Sequence, residues 1–179
     1  MEQNVSMKIN ELPSPTWNWL KVNETPIKWS TKIEPCEIAS EGDAVSSETE
    51  QLSDIETGAG READAIFAAE NTAKYQILAD NAGQDKSVRL HISGKKDAHT
   101  AGSVEIYAKE NSTLTVVMDS RVASDAAKVE DSTGEASLAV RVRMKVESGA
   151  SVRLIQVQMP QEHETLLSDI GGDLIGEGA

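Results

Sequence analysis

The chain has 179 residues and a formal net charge of −13, from 30 acidic and 17 basic side chains. Such an acidic chain is a poor candidate for binding nucleic acid, because phosphate contacts depend on lysine and arginine. The only cysteine is Cys36, which excludes an intramolecular disulfide. No run approaches the ~18 apolar residues of a membrane span, and no signal peptide is apparent. We therefore expect a cytoplasmic protein without membrane contact.

Residues 1–33 form an N-terminal segment that contains all three tryptophans, Trp17, Trp19 and Trp29. Pro13 and Pro15 predict an extended run that leads into a short helix. We expect Trp17, Leu20 and Trp29 to pack on a larger body. Stacking on sugars or bases is the alternative.

Residues 34–57 are predicted to be an acidic, flexible linker. The stretch is rich in Glu, Ser, Asp and Thr and has no aromatic residue. Such a composition buries too little apolar area to offset the entropy of ordering. Cys36 lies at its start, where nearby carboxylates raise a thiol pKa, so we expect neither a nucleophile nor a metal ligand there.

Residues 58–179 are predicted to be the core, and they begin with a short helix near 61–71. Ala63, Ile66, Phe67 and Glu70 recur at helical spacing, with acidic residues in the first turn. The preceding glycines lack the Gly-Lys-Ser/Thr ending of a phosphate loop, so we interpret them as hinge residues.

Strands are predicted over most of the remaining chain, because aliphatic and polar residues alternate. The longest run places its aliphatic residues on one face and Arg141, Arg143 and Lys145 on the other, which we expect to be a solvated outer face. A contact surface is the alternative. Further aliphatic positions continue the pattern: Val88, Leu90, Ile92, Val104, Ile106, Leu114, Val116, Met118, Leu138, Val140, Val142, Met144 and Val146. After Leu154 the phase slips to Ile155, which predicts a bulge or a corner.

A repeated corner indicates how these strands are arranged. A glutamate precedes small residues at Glu110, Glu147 and Glu177, at intervals of 37 and 30 residues. Repeats of this length are typical of stacked units that cannot bury their own faces alone. The sequence therefore predicts a mainly β fold of the β-solenoid type.

Candidate catalytic and metal sites are few. His91 is predicted to face outward from a strand, His99 to lie in a loop, and His163 to lie beside carboxylates that cannot converge on it. Asp169 and Asp173 flank two glycines; a carboxylate pair is conceivable, but turn chemistry explains them more simply. We assign no catalytic, cofactor-binding or metal residue and expect no enzyme.

Six stretches carry a resemblance to a known family: residues 11–23 (ELPSPTWNWLKVN), 58–62 (GAGRE), 75–77 (YQI), 110–116 (ENSTLTV), 147–150 (ESGA) and 175–179 (IGEGA). Through them the chain resembles the SufB/SufD family of iron–sulfur cluster assembly scaffolds, and SufD-like members in particular. The six stretches are turns and strands rather than a catalytic signature.

The resemblance implies a right-handed parallel β-helix that acts with a SufC-type ATPase and a SufB-type scaffold in the cytoplasm. The cluster is handled by the full complex, so no cofactor is expected in this chain. The family's functional positions lie in a C-terminal region that this chain does not reach, so no residue here receives their roles.

No strand follows the third corner, so we expect an N-terminal portion of a longer scaffold, with an open β-helix end that allows self-association. Two alternatives remain. One is a structural or self-associating β-solenoid module. The other is a carbohydrate-active β-helix protein, which the scarcity of aromatic residues disfavours.

Overall fold

The computed structural model describes residues 4–9, 25–43, 52–67, 72–80, 83–122 and 136–179. Within them the protein is mainly β, with one short helix. The strands are β1 (Asn4–Ile9), β2 (Thr25–Ser30), β3 (Glu34–Pro35), β4 (Glu37–Gly42), β5 (Ala73–Ala79), β6 (Asp85–Ser93), β7 (His99–Ala108), β8 (Thr113–Arg121), β9 (Ala136–Val146), β10 (Ser151–Gln158) and β11 (Glu164–Leu174). A 3₁₀ turn, Arg61–Ala63, leads into α1 (Asp64–Phe67). The predicted helix near 61–71 is therefore confirmed as far as Phe67.

Successive strands from β5 onward alternate between two sheets. β5, β7, β9 and β11 run parallel to one another in a five-stranded sheet that β3 completes. β6, β8 and β10 run parallel in a four-stranded sheet, and β4 joins its edge antiparallel. Parallel neighbours cannot be joined by a tight hairpin, so the chain crosses to the other sheet before it returns.

Residues with matching pleat positions stack between the two sheets. Val88 pairs with Val116, and Val116 pairs with Leu154. On the other sheet Val104 pairs with Val142. The buried members of these ladders form one cluster between the sheets. The alternation predicted from the sequence is therefore confirmed in β6 to β9.

The repeated corners also lie on top of one another. Asn111, Gly149 and Gly178 all have positive φ, of 57°, 65° and 75°. Asn111 donates its backbone N–H to the Ser148 carbonyl at 3.1 Å, and Gly149 donates to the Glu177 carbonyl at 3.1 Å. A Cβ at Gly149 would overlap with Asn111 Oδ1 unless that side chain moved, and the positive φ also favours glycine there.

A second apolar cluster lies on the outer face of the five-stranded sheet. Ala101, Ala139 and Leu167 occupy one row across β7, β9 and β11. Side chains from β1, β2 and residues 52–67 pack onto this row. Trp29 is among them and is buried, which confirms that it packs on the larger body. Trp17, Trp19, the predicted helix that follows Pro15 and the predicted loop over 124–135 lie outside the described residues.

Three sequence predictions are wrong. Residues 34–43 are not a linker, because β3 and β4 pair with the two sheets and bury Cys36. Residues 151–158 contain no bulge: β10 pairs with β8 in unbroken register, with Ile155 and Val157 on the exposed outer face. Arg141 is not on a solvated face, because residues 52–67 cover it.

Candidate functional site

The outer face of the five-stranded sheet carries two adjacent polar rows. The first row joins Lys74, Ser103, Arg141 and Asp169 through the parallel register. The second row joins Gln76, Glu105, Arg143 and Gly171. Each row combines residues far apart in the sequence, because strands that neighbour in the sheet are 28 to 38 residues apart in the chain.

Arg141 and Asp169 form a buried ion pair in the first row. The Arg141 Nε donates to Asp169 Oδ2 at 2.7 Å, and the exposed fractions of the two side chains are 3% and 0%. Arg141 Nη1 lies 2.8 Å from Asp64 Oδ1, and its guanidinium lies 4.2 Å from the Phe67 ring centroid. Such a buried charge is tolerated only when paired and hydrogen-bonded.

Asp169 also holds residues 52–67, which we call the cover segment, against the sheet. Its carboxylate accepts hydrogen bonds from Thr57 Oγ1 at 2.7 Å and from the Ala59 backbone N–H at 2.8 Å. Arg143 Nε donates to the Ile55 carbonyl at 3.1 Å, so a second arginine holds the same segment. These contacts explain how an acidic, glycine-containing stretch lies in one conformation.

Two adjoining cavities, of about 320 and about 300 Å³, lie between the cover segment and the sheet. Ser53, Asp64 and Arg143 line both. The larger cavity is also lined by Arg141 and Lys74. Two arginines, a lysine and two carboxylates line the larger cavity, and we take this concave surface as the candidate binding site.

A second candidate surface lies at the end of the sheets formed by β10 and β11. Among the described residues, no strand pairs with the outer edge of either one. Ile170 and Leu174 follow the inward pleat of β9 through their partners Val142 and Val146, yet they are 37% and 68% exposed. An unpaired strand edge with exposed aliphatic residues can pair with a further strand.

The three histidines do not form a site. His91 faces outward, as predicted, with Nε2 3.6 Å from Glu41 and Nδ1 3.9 Å from Asp119. His99 begins β7 rather than lying in a loop, and its Nδ1 is 2.6 Å from Ser137 Oγ. His163 is exposed in a turn, with Nε2 3.9 Å from Glu162 Oε1.

Asp169 and Asp173 do not form a carboxylate pair, and neither lies in a turn. Both belong to β11, where Asp169 is buried and Asp173 is exposed. The sequence analysis therefore missed the role of Asp169 as the partner of Arg141. The signal that identifies it is the offset of 28 residues between β9 and β11, which only the strand register supplies.

The thiol of Cys36 is buried against Gly102. Burial, more than the nearby Glu37 carboxylate, raises its pKa to about 12. The sequence analysis predicted the direction of this shift but attributed it to carboxylates. A buried neutral thiol is a poor nucleophile and a poor metal ligand.

Within the described ranges, no group of three His, Cys, Asp or Glu side chains is arranged to hold a metal ion. The helices in the same part of the chain are too short or too polar to cross a membrane. Comparison with protein-family models, curated proteins and solved structures finds no match for this chain.

Proposed function

We propose that this chain is a scaffold component of the SUF iron–sulfur cluster assembly machinery, built on a right-handed parallel β-helix and acting without catalysis of its own. The observation that carries the proposal is the alternation of parallel strands between two sheets, with corners stacked at Asn111, Gly149 and Gly178. This topology agrees with the β-helix that the resemblance implies.

The proposed partners are a SufC-type ATPase and a SufB-type scaffold, in the cytoplasm. A scaffold needs surfaces that accept other chains more than it needs a reaction centre. The unpaired edges of β10 and β11 and the exposed Leu174 support such a role, because added strands would continue both sheets.

Co-expression with the cognate ATPase and SufB-type scaffold tests the proposal, with size exclusion and light scattering as the readout. We expect a stable complex that contains this chain. An unrelated ATPase with the same affinity tag is the control. A folded chain that elutes alone in the presence of both partners contradicts the proposal.

A self-associating module is the second candidate function, and the exposure of Ile170 and Leu174 favours it. If the chain self-associates through the β10–β11 end, the molecular mass measured by light scattering should rise with protein concentration. Leu174→Lys should reduce this association strongly because it places a charge on the unpaired edge. Val117→Lys, on the outer face of β8 and one strand inside that edge, is the matched control and should leave the mass unchanged.

A further inference from the structure

The guanidinium of Arg141 lacks one of the hydrogen bonds that its burial requires. Nε and Nη1 are engaged by Asp169 and Asp64, but the buried Nη2 has no hydrogen-bond partner. A buried N–H of a charged group that makes no hydrogen bond carries a desolvation cost. Such unsatisfied groups are rare in native proteins. A ligand that accepts the missing hydrogen bond is one explanation for them.

The space for such an acceptor lies beside Arg141. This side chain lines the cavity of about 320 Å³ under the cover segment, together with the ring of Phe67. On the floor of the cavity, Lys74 and Ser103 are in register with Arg141. The volume is at the lower end of the range for small-molecule sites, which suits a compact ligand.

The charge balance of this cavity favours an anion. Its two carboxylates are engaged, Asp64 by Arg141 at 2.8 Å and Glu105 by the Gln76 amide at 2.7 Å. Lys74 and Arg143 also line the wall, and within the described part of the chain neither forms a salt bridge with a carboxylate. The side chains that line the cavity therefore include three cations, counting Arg141, and two carboxylates, in a chain whose net charge is −13.

We propose that this cavity binds a small oxyanion of the phosphate class, either free phosphate or the phosphoryl group of a small molecule. Arginine and lysine side chains with a serine hydroxyl are the donors that phosphate oxygens accept from in proteins. Arg141 and Arg143 would hold the anion from the sheet, with Lys74 and Ser103 beside it. This inference goes beyond the proposed scaffold role and does not depend on it.

Isothermal titration of the full chain with inorganic phosphate tests the proposal, at neutral pH and with sodium chloride adjusted to keep ionic strength constant. We expect saturable binding of one phosphate per chain. Arg143→Gln and Lys74→Gln should each weaken binding by about tenfold, the effect of losing one charge-assisted hydrogen bond. Arg153→Gln, an exposed arginine on β10 in the other sheet, should leave the affinity unchanged.

The two cavity variants keep the Arg141–Asp169 pair, and circular dichroism identifies any variant that fails to fold. Lys74 is exposed and makes no ion pair with the described residues, so Lys74→Gln remains informative even if the Arg143 variant is destabilised. No saturable heat with phosphate, or equal affinities for the wild type and both cavity variants, would overturn the proposal. Glycerol phosphate in the same titration separates free phosphate from a phosphoryl ester as the preferred form.

Discussion

Arg141 and Asp169 face each other on neighbouring strands, with the arginine Nε 2.7 Å from the aspartate Oδ2 and both side chains buried. The pair lies on the outer face of the five-stranded sheet, where the sequence predicts solvent. It is buried because the cover segment lies over it and is held by the same aspartate through Thr57 and Ala59. One carboxylate therefore joins a sheet to the segment that covers it.

Replacing Asp169 should be strongly destabilising. Asp169→Asn leaves the Arg141 charge buried, with the exposed Asp64 as its counter-ion among the described residues. Breaking a buried ion pair from one side costs about 3 to 5 kcal/mol, and we expect a loss near the lower end of that range in the free energy of unfolding, measured in urea. Asp173→Asn, on the same strand but exposed, should change it by less than about 0.5 kcal/mol. Equal effects in the two variants would contradict a structural role for the pair.

Two neighbouring glycines in β11 should differ in their tolerance of alanine. A Cβ at Gly171 would overlap with the Glu56 carbonyl of the cover segment, whereas a Cβ at Gly172 makes ordinary contacts near 3.5 Å with Met144. Gly171→Ala should therefore lower the free energy of unfolding by about 1 to 3 kcal/mol, the usual cost of overpacking. Gly172→Ala is the control, with a change below about 0.5 kcal/mol expected. Limited proteolysis near residue 56 should accelerate only in the first variant.

The buried thiol of Cys36 should make stability depend on alkaline pH. Its folded-state pKa is raised from 9.0 to about 12, so the unfolded chain loses the thiol proton first as pH rises. The free energy of unfolding should then fall between those two values, by at most ~1.4 kcal/mol per pH unit from this group. Cys36→Ala should lack this component of the slope. Iodoacetamide should modify the thiol only in urea, and rapid alkylation of the folded chain would show that the thiol is accessible.

Tyr107 should control the acidity of Glu147 at the second corner. The hydrogen bond that the Tyr107 hydroxyl donates holds the pKa of this carboxyl below its ordinary value of 4.5, with smaller support from the Glu110 N–H. Tyr107→Phe should raise the pKa, observed by carboxyl-carbon NMR. Because the folded pKa is depressed, the pair stabilises the fold above pH 4.5 and this contribution is lost as pH falls below it. Tyr75→Phe, on the neighbouring strand, should leave the Glu147 titration unchanged.

The sequence by itself determines the strand character of the chain. Alternating aliphatic residues predict β6 to β9, and the repeated glutamate before small residues predicts corners that the structure stacks at Asn111 and Gly149. These features are local. The pleat has a period of two residues, and a backbone position with positive φ favours glycine or asparagine. The short helix at Asp64–Phe67 is predicted for the same reason, from helical spacing.

Only the tertiary structure decides which outward-facing side chains are exposed. Arg141 and Arg143 occupy equivalent pleat positions, yet the first is buried against Asp64 and Phe67 of the short helix, more than 70 residues earlier in the chain. The partner of Arg141 is fixed by an offset of 28 residues between two parallel strands. Such pairings depend on the strand register and on the path of the covering chain. Neither the register nor the path of the covering chain leaves a periodic signal in the sequence. Each depends on single contacts between residues that are far apart in the chain.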